Sequence, residues 1–122
     1  FLLTNVMAGE TVQLNHVLFV IGKSELLSES YSELDLLSQF LSDNENVKIE
    51  LSGHTDNSGS SKLNQKLSEA RVSTIKKYLI GKEVPKNRIS GTGYGGRRPI
   101  ASNKKEETRR LNRRVEFKVI KK

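Results

Sequence analysis

Cysteine is absent from the 122 residues of the sequence. Its absence excludes disulfide bonds, thiolate metal sites and a cysteine nucleophile. It leaves the compartment open, because cysteine-free domains occur in the cytosol and in the periplasm alike.

Long apolar runs are also missing. No stretch approaches the roughly twenty consecutive apolar residues that a membrane-spanning helix needs, so these residues are not expected to cross a membrane. The sequence starts at Phe1 and shows no signal-peptide pattern. Its length suits one compact domain. We expect a single domain over residues 1–122, with its core at about 12–120, that forms the C-terminal module of a larger protein.

Acidic residues become scarce toward the end of the chain. Residues 1–81 hold 7 basic and 10 acidic side chains, a net charge of −3, whereas residues 82–122 hold 14 basic and 4 acidic ones, a net charge of +10. Such a basic segment indicates either an anionic partner or a solvated face that aids solubility.

Apolar periodicity predicts strands that alternate with helices in the order β-α-β-α-β-(short α)-β. Two long helices are too few to cover both faces of a large sheet. We therefore predict an α/β (α+β) two-layer sandwich with a mixed four-stranded β-sheet and helices on one face. The predicted elements are a strand at Val12–Val20, a helix at Tyr31–Ser42 that begins with a capping box at Ser30 and Glu33, a strand at Val47–Gly53, a helix at Lys62–Gly81, a strand at Arg88–Gly95, a short helix within Lys104–Leu111 and a strand at Arg113–Ile120.

The second long helix places a cation beside its apolar stripe. Arg71 lies close to the azimuth of that stripe, and Asn64 shares nearly the same azimuth two turns earlier. Arg71 either buries its stem and extends its head to water, or lines a pocket and binds an anion, for which its guanidinium fork is suited. The residues predicted to form the stripe are Leu63, Leu67, Ala70 and Tyr78.

Asp56 follows a predicted strand end, where ligand sites gather in α/β sheets. In the segment "DNSGSS" an Asx-turn or a helix cap is an equally ordinary role for it. His54 lies two residues earlier, but the only other histidine is His16 and no acidic cluster completes a ligand set, so no metal site is expected. No Gly-x-Ser-x-Gly elbow supports a catalytic triad.

Two further motifs are rejected. The segment Gly91–Gly96 formally matches G-x-G-x-x-G, but no amphipathic helix follows it, so we interpret it as a turn or bulge at a strand end. The basic segment around Arg109–Arg114 has no interleaved aromatic residues, so nucleic-acid binding is not expected. Arg113 and Arg114 enter a strand and point to opposite faces, so at most one of them shares a pocket.

Four motifs then occur in a recognisable order: "GHTDNSG", Asn64-x-x-Leu67-Ser68-x-x-Arg71, "GYG" and "NRRVEF". Over residues 17–119 the chain resembles the OmpA C-terminal-like domain family, which includes the periplasmic part of OmpA, the peptidoglycan-associated lipoprotein and MotB. The resemblance implies a β-α-β-α-β-β sandwich that binds peptidoglycan non-covalently, without cofactor or catalysis, through the diaminopimelate of the stem peptide. It also implies an anchor for a periplasmic or outer-membrane protein of a Gram-negative, Bacteroidota-type envelope, with partners in envelope complexes.

The resemblance assigns the ligand contacts to particular residues. Asp56 is implied to take the ammonium group of diaminopimelate and Arg71 its carboxylate, and without ligand these two are expected to pair with each other. Lysine lacks that carboxylate, which implies discrimination against lysine-type peptidoglycan. The remaining implied ligand-binding residues are Asn64, Ser58, which keeps a hydroxyl where relatives often have threonine, and Arg113.

The sequence departs from the family pattern at a few positions. Gly22, in "FVIGKSEL", stands where many relatives have a polar, pocket-lining residue such as asparagine, so that only its backbone N–H remains as a contact. Val72 and Ile75 replace the usual alanine and valine, a mild change in packing. Two other functions stay open: a polyanion-binding module that uses the basic segment, and an enzyme that acts on the cell wall.

Overall fold

The computed structural model describes residues 7–121. Its element order agrees with the predicted alternation of strands and helices. The strands are β1 (Thr11–Gln13), β2 (Lys48–His54), β3 (Ile89–Gly93) and β4 (Arg114–Lys121), the helices are α1 (Ser30–Asp43), α2 (Ser61–Gly81) and α3 (Glu106–Arg109), and two 3₁₀ turns cover Lys86–Arg88 and Arg110–Asn112.

The four strands form one mixed sheet in the order β1-β4-β2-β3. β2 runs parallel to β3 and antiparallel to β4, and β1 pairs antiparallel with β4. In this register Leu51 of β2 lies opposite Gly91 on one side and Phe117 on the other. The mixed four-stranded sheet of the sequence prediction is confirmed.

One face of the sheet is buried and the other carries charge. Ile49, Leu51 and Phe117 are fully buried on the inner face, together with apolar residues of α1 and α2. The alternate positions carry polar side chains such as Glu50 and Lys118, because successive strand residues point to opposite faces. This arrangement confirms the two-layer sandwich with helices on one face.

The strand predicted at Val12–Val20 is wrong over most of its length. Only residues 11–13 pair with the sheet, and Phe19 makes an isolated bridge with Leu26. Val17 is buried because it packs into the core, although its segment joins no ladder. Apolar periodicity reports burial and does not distinguish a paired strand from a packed loop.

The start of α1 explains how that loop is held. The sequence predicted that Ser30 and Glu33 would form a capping box, but the structure shows no side-chain cap at this helix. The Ser30 hydroxyl accepts from Leu18 N and donates to Leu18 O, both at 2.7 Å, and Glu33 accepts from His16 N at 3.0 Å. The helix start is correct, but its polar side chains satisfy the backbone of the loop.

The predicted apolar stripe of α2 is wrong at Leu63 and off-centre elsewhere, since Leu67, Ala70 and Tyr78 are only half-buried. Leu63 is 66% exposed, and the buried residues of the helix are Ser68, Val72, Ile75 and Leu79. Glycines in the sheet cause this rotation, since they allow the helix to approach closely. A Cβ placed on Gly53 would lie 2.8 Å from Ser68 O, and one on Gly93 would lie 2.6 Å from Ser68 Oγ.

Candidate functional site

A cavity of about 500 Å³ opens at the end of β2 that leads into the Asp56 loop, between the loop before α1, helix α2 and the segment from α3 to β4. Such a volume accommodates a small ligand. Apolar side chains among residues 17–21 form one wall, and the remaining lining consists of charged residues together with Gly22, Gly53, His54 and Val115. The charged residues that line the cavity are Arg71, Glu106, Arg110, Arg113 and Arg114.

Arg71 reaches the cavity from the middle of α2. Its Nε donates to Lys23 O at 2.9 Å, and its guanidinium carbon lies 4.8 Å from the ring centroid of Phe19. Burial lowers the pKa of Arg71. Among residues 7–121, no carboxylate forms a salt bridge with it. Its side chain is therefore a partly buried cation, held in place by a carbonyl and an aromatic ring, without a counter-charge.

Asp56 lies beside the cavity in the loop after β2. Its Oδ1 accepts from Ser58 N at 2.8 Å, which is an Asx-turn, and its Oδ2 forms a 2.7 Å salt bridge with Arg113 Nη1. Burial alone would raise the pKa of Asp56, but the hydrogen bonds from Ser58 and Arg113 outweigh it and hold the pKa below its usual value. Asp56 therefore stays ionised and serves both the turn and the ion pair.

The expected pairing of Asp56 with Arg71 is wrong. Asp56 pairs with Arg113, and Arg71 donates to the carbonyl of Lys23. Arg113 also donates to Glu106 Oε2 at 2.9 Å, so one guanidinium is held by two carboxylates. The hydrogen bond to Glu106 is the main cause that raises the pKa of Arg113, and the hydrogen bond to Asp56 is the second. Arg113 lies close to Asp56 because it directly precedes β4, whose first residue Arg114 pairs with His54, two residues before Asp56.

Asn64 and Ser58 lie near the site without lining the cavity. The Asn64 amide donates to Ser58 O at 2.8 Å and to Asp56 O at 3.4 Å, so it ties the Asp56 loop to the first turn of α2. Asn64 lines a second hollow of about 480 Å³ on the other side of that loop. In the structure these residues hold Asp56 in position, and their direct contact with a ligand remains a prediction.

Gly22 lines the cavity at a backbone turn. Lys23 N donates to Val20 O at 2.9 Å, and Gly22 has φ +71°. A residue with positive φ at this position of a turn is usually glycine or asparagine. A Cβ added to Gly22 would meet nothing within 4 Å, so there is free space at this position.

Of the thirteen residues that line the cavity, three were predicted as ligand contacts, namely Gly22, Arg71 and Arg113. Phe19, Glu106 and Arg110 line the cavity, yet Glu106 and Arg110 looked like members of a solvated basic helix. The signal that finds Glu106 is its distance of seven residues from Arg113, because α3 and the 3₁₀ turn follow each other directly and seven residues correspond to about two helical turns. The prediction that at most one of Arg113 and Arg114 shares a pocket is wrong, because both residues line the cavity, although Arg114 Nε lies 3.4 Å from Glu116 Oε2 and pairs with it.

His54, at the end of β2, lines the cavity and is buried by contacts with Tyr94 and Glu116. Its ring stacks on Tyr94 with centroids 5.3 Å apart, and its Nε2 lies 3.3 Å from Glu116 Oε1. Arg98 covers Tyr94, with its guanidinium carbon 3.8 Å from the ring centroid. Burial, then Arg114, lowers the pKa of His54 to about 4 although Glu116 opposes the shift. These contacts agree with a structural role for His54 at the strand-to-loop turn.

The chain is similar to a known protein family and to several known proteins. Residues 18–113 match the OmpA family. The chain is 39% identical over 103 residues to outer membrane porin F of Pseudomonas fluorescens, which covers 84% of this chain and 32% of that protein. It is 35% identical over 100 residues to the peptidoglycan-associated lipoprotein of Buchnera aphidicola, which covers 82% of this chain and 58% of that protein.

Solved structures agree with the fold. A MotB-like protein of Desulfovibrio vulgaris has a TM-score of 0.82 at 28% identity, covering 92% of this chain and 73% of that one. The cell wall anchor of the T6SS from Pseudomonas aeruginosa has a TM-score of 0.76 at 25% identity, covering 92% of this chain and 80% of that one. The names of these relatives describe outer-membrane and anchoring proteins.

The chain spans about a third of the length of the porins that it matches. None of the helices in residues 7–121 has both the length and the apolar character needed to cross a membrane.

Proposed function

This chain belongs to the OmpA family, and from that membership we propose that it binds peptidoglycan non-covalently, without catalysis, through the diaminopimelate of the stem peptide. The ligand lies in the cavity between the loop before α1, helix α2 and the start of β4. One relative is named a peptidoglycan-associated lipoprotein and one similar structure a cell wall anchor, which supports the polymer as the partner.

The observation that carries this proposal is Arg71. A partly buried guanidinium on the cavity wall, already oriented by Lys23 O and Phe19, lacks a carboxylate partner within residues 7–121. Its fork binds both oxygens of a carboxylate. A pre-oriented cation loses little conformational freedom when the ligand arrives, which favours binding.

The other end of the diaminopimelate head group is an ammonium, which we assign to Asp56. Each oxygen of Asp56 already accepts one hydrogen bond, and an ionised carboxylate oxygen has two lone pairs, so each oxygen retains one acceptor site. The ammonium joins the pair of Asp56 and Arg113 and does not displace it. The apolar wall at residues 17–21 suits the aliphatic chain of the ligand. Asn64 and Ser58 keep Asp56 in position, and Gly22 offers its backbone.

The same contacts predict selectivity between cell walls. Lysine has the ammonium group but lacks the terminal carboxylate, so a lysine-type stem peptide leaves Arg71 without a counter-charge inside the cavity. Leaving a buried charge unpaired is costly. We therefore expect binding to diaminopimelate-type walls and weak binding to lysine-type walls.

We further propose that the domain is the C-terminal module of a larger envelope protein and acts in the periplasm, where it attaches the outer membrane to the cell wall. The partial coverage of the longer outer-membrane relatives supports this placement. Regions outside these residues would provide any contact with the membrane and with other envelope proteins.

The test is co-sedimentation with purified sacculi, with diaminopimelate-type and lysine-type walls in parallel. We expect Arg71→Ala to lose about 2 kcal/mol of binding free energy, since it removes hydrogen bonds to a charged group, or about thirtyfold in affinity. Asp56→Ala should lose a similar amount of binding free energy, and it also removes one of the two carboxylates that hold Arg113. The matched control is Lys77→Ala, which removes one positive charge from an exposed position on the same helix.

Three results would contradict the proposal. The first is equal binding by wild type and both variants. The second is equal retention on both types of wall. The third is sustained release of muropeptides during the incubation, which would identify an enzyme that acts on the cell wall.

A polyanion-binding module is the second candidate, favoured by the net charge of +10 in residues 82–122. Its binding would fall steeply with salt, because cations on the polymer are released on contact, and it would survive Asp56→Ala. A salt titration of sacculus binding with wild type and Asp56→Ala separates the two functions.

A further inference from the structure

The cavity holds more positive charge than one ligand carboxylate neutralises. Arg113 is paired with Asp56 and Glu106, and the guanidinium of Arg114 lies against Glu116. Arg71 and Arg110 also line the cavity, and within residues 7–121 neither forms a salt bridge. The diaminopimelate carboxylate assigned to Arg71 leaves Arg110 without a counter-charge.

Arg110 extends from a firmly held base. It begins the 3₁₀ turn Arg110–Asn112, where Arg113 N donates to Arg110 O at 3.2 Å. Asn112, fully buried, anchors the turn: its Oδ1 accepts from Ile100 N at 2.7 Å, and its Nδ2 donates to Ala101 O at 2.9 Å. The exposed side chain of Arg110 therefore projects from a fixed backbone toward the cavity that it lines.

We propose that Arg110 binds a second carboxylate, so that the site recognises a stem peptide with two free carboxylates, one on diaminopimelate and one on the glutamate before it. This inference rests on the proposed function and names the ligand class more closely. The glutamate is joined to diaminopimelate through its side chain, so its α-carboxylate is free unless the wall carries an amide there. Amidation removes that charge and leaves the rest of the peptide unchanged.

The charges at the cavity fit this ligand. Arg71 and Arg110 belong to separate elements, α2 and the turn before β4, so each can meet a carboxylate of its own. Arg113 is excluded as the residue that binds the second carboxylate, because Asp56 and Glu106 already neutralise its charge. Arg110 is exposed, so its contact is weaker than that of the partly buried Arg71.

The experiment is isothermal titration with two synthetic tripeptides in which the C-terminal main-chain carboxyl of diaminopimelate is amidated, L-Ala-γ-D-Glu-diaminopimelate and its analogue with the glutamate α-carboxylate amidated as well. Wild type should bind the free acid about two- to fivefold more tightly, as expected for one charge-assisted contact at an exposed position. Arg110→Ala should bind both peptides with the affinity that wild type has for the amide. Lys104→Ala removes an exposed charge from the same segment outside the cavity and should keep the preference.

The outcomes separate this inference from the function on which it rests. Equal affinity of wild type for the two peptides overturns the role of Arg110, as does an Arg110→Ala variant that loses affinity for both peptides by the same factor. In either case a large loss in Arg71→Ala would still support the diaminopimelate site. If Arg71→Ala binds both peptides as wild type does, or wild type binds neither, the proposed function fails and this inference fails with it.

Discussion

At the scale of single residues, Gly22 sets how much of the cavity is filled. Its φ of +71° belongs to the left-handed region, where asparagine is also tolerated, and space surrounds the position of its missing Cβ. The turn therefore accepts a polar side chain without strain from its neighbours. The glycine leaves the cavity wider and supplies one polar group less than an asparagine would.

We predict that Gly22→Asn strengthens binding to diaminopimelate-type sacculi by about two- to fivefold, since one neutral hydrogen bond contributes roughly 1 kcal/mol. Its thermal midpoint should stay close to that of wild type. Gly22→Val is the contrasting variant, because a β-branched residue is strained at positive φ and should lower both stability and binding. Weaker binding by Gly22→Asn, with its fold intact, would mean that the ligand needs the open space.

The residues of the site were partly predictable from the sequence. Asp56, Arg71 and Arg113 do gather around the cavity, because the motif that carries them fixes the loop after β2, the face of α2 and the start of β4. Which residues pair was not predictable, since the choice of Arg113 over Arg71 depends on strand register. Arg110 could not be distinguished from a solvated arginine without the fold of the turn that carries it.

At the scale of elements, the close contact between α2 and the sheet positions Arg71. Ser68 is 1% exposed, and its hydroxyl accepts from Gly95 N at 2.9 Å. Gly95 O in turn accepts from Thr55 N at 2.8 Å, next to Asp56. Hydrogen bonds therefore connect the helix, the glycine turn and the Asp56 loop, and glycine in the strand makes this spacing feasible.

We predict that Gly93→Ala destabilises the fold by about 1–3 kcal/mol, the usual cost of overpacking, because its Cβ would collide with Glu69 N and lie 2.6 Å from Ser68 Oγ. Binding should also weaken, since α2 carries Arg71. Urea denaturation and sacculus binding measure the two effects. The control is Gly81→Ala at the end of α2, where a Cβ meets nothing within 4 Å. Equal stability of the two variants would argue against the close packing.

Helices and paired strands were predictable because their periodicity is long and regular, as in α1 and β4. The failures lie where side chains serve another element. The loop before α1 reads as a strand because its apolar residues are buried, yet Ser30 and Glu33 satisfy its backbone. The stripe of α2 was misplaced because the small Ser68, and not a leucine, faces the glycines of the sheet.

At the scale of the whole molecule, the stability of the fold should depend on pH through the buried His54. His54 is 5% exposed, is stacked on Tyr94 and has a pKa lowered to about 4. Its pKa in the unfolded chain is the ordinary 6.5, so the unfolded state binds the proton more tightly between these values. Stability should therefore fall as pH falls from 6.5 to 4, by roughly 3 kcal/mol at most.

We predict that urea unfolding free energies measured from pH 7 to pH 4 show this decline and that His54→Phe flattens it, since phenylalanine keeps an aromatic ring beneath Tyr94 but cannot take a proton. His16→Gln, at the exposed second histidine, should leave the profile unchanged. Asp56 contributes only at lower pH, because its pKa already lies below 3.8. An unchanged decline in His54→Phe would assign the pH dependence to other groups.

The position of β4 governs how the chain reaches its native state. Among the strands of residues 7–121 it comes last in sequence, yet it lies between β1 and β2 in the sheet. Until its residues are available, β1 has no ladder partner and one hydrogen-bonding edge of β2 stays unpaired. Productive folding thus has to await the last strand, and its long-range pairing makes the folding rate slow for a domain of this size.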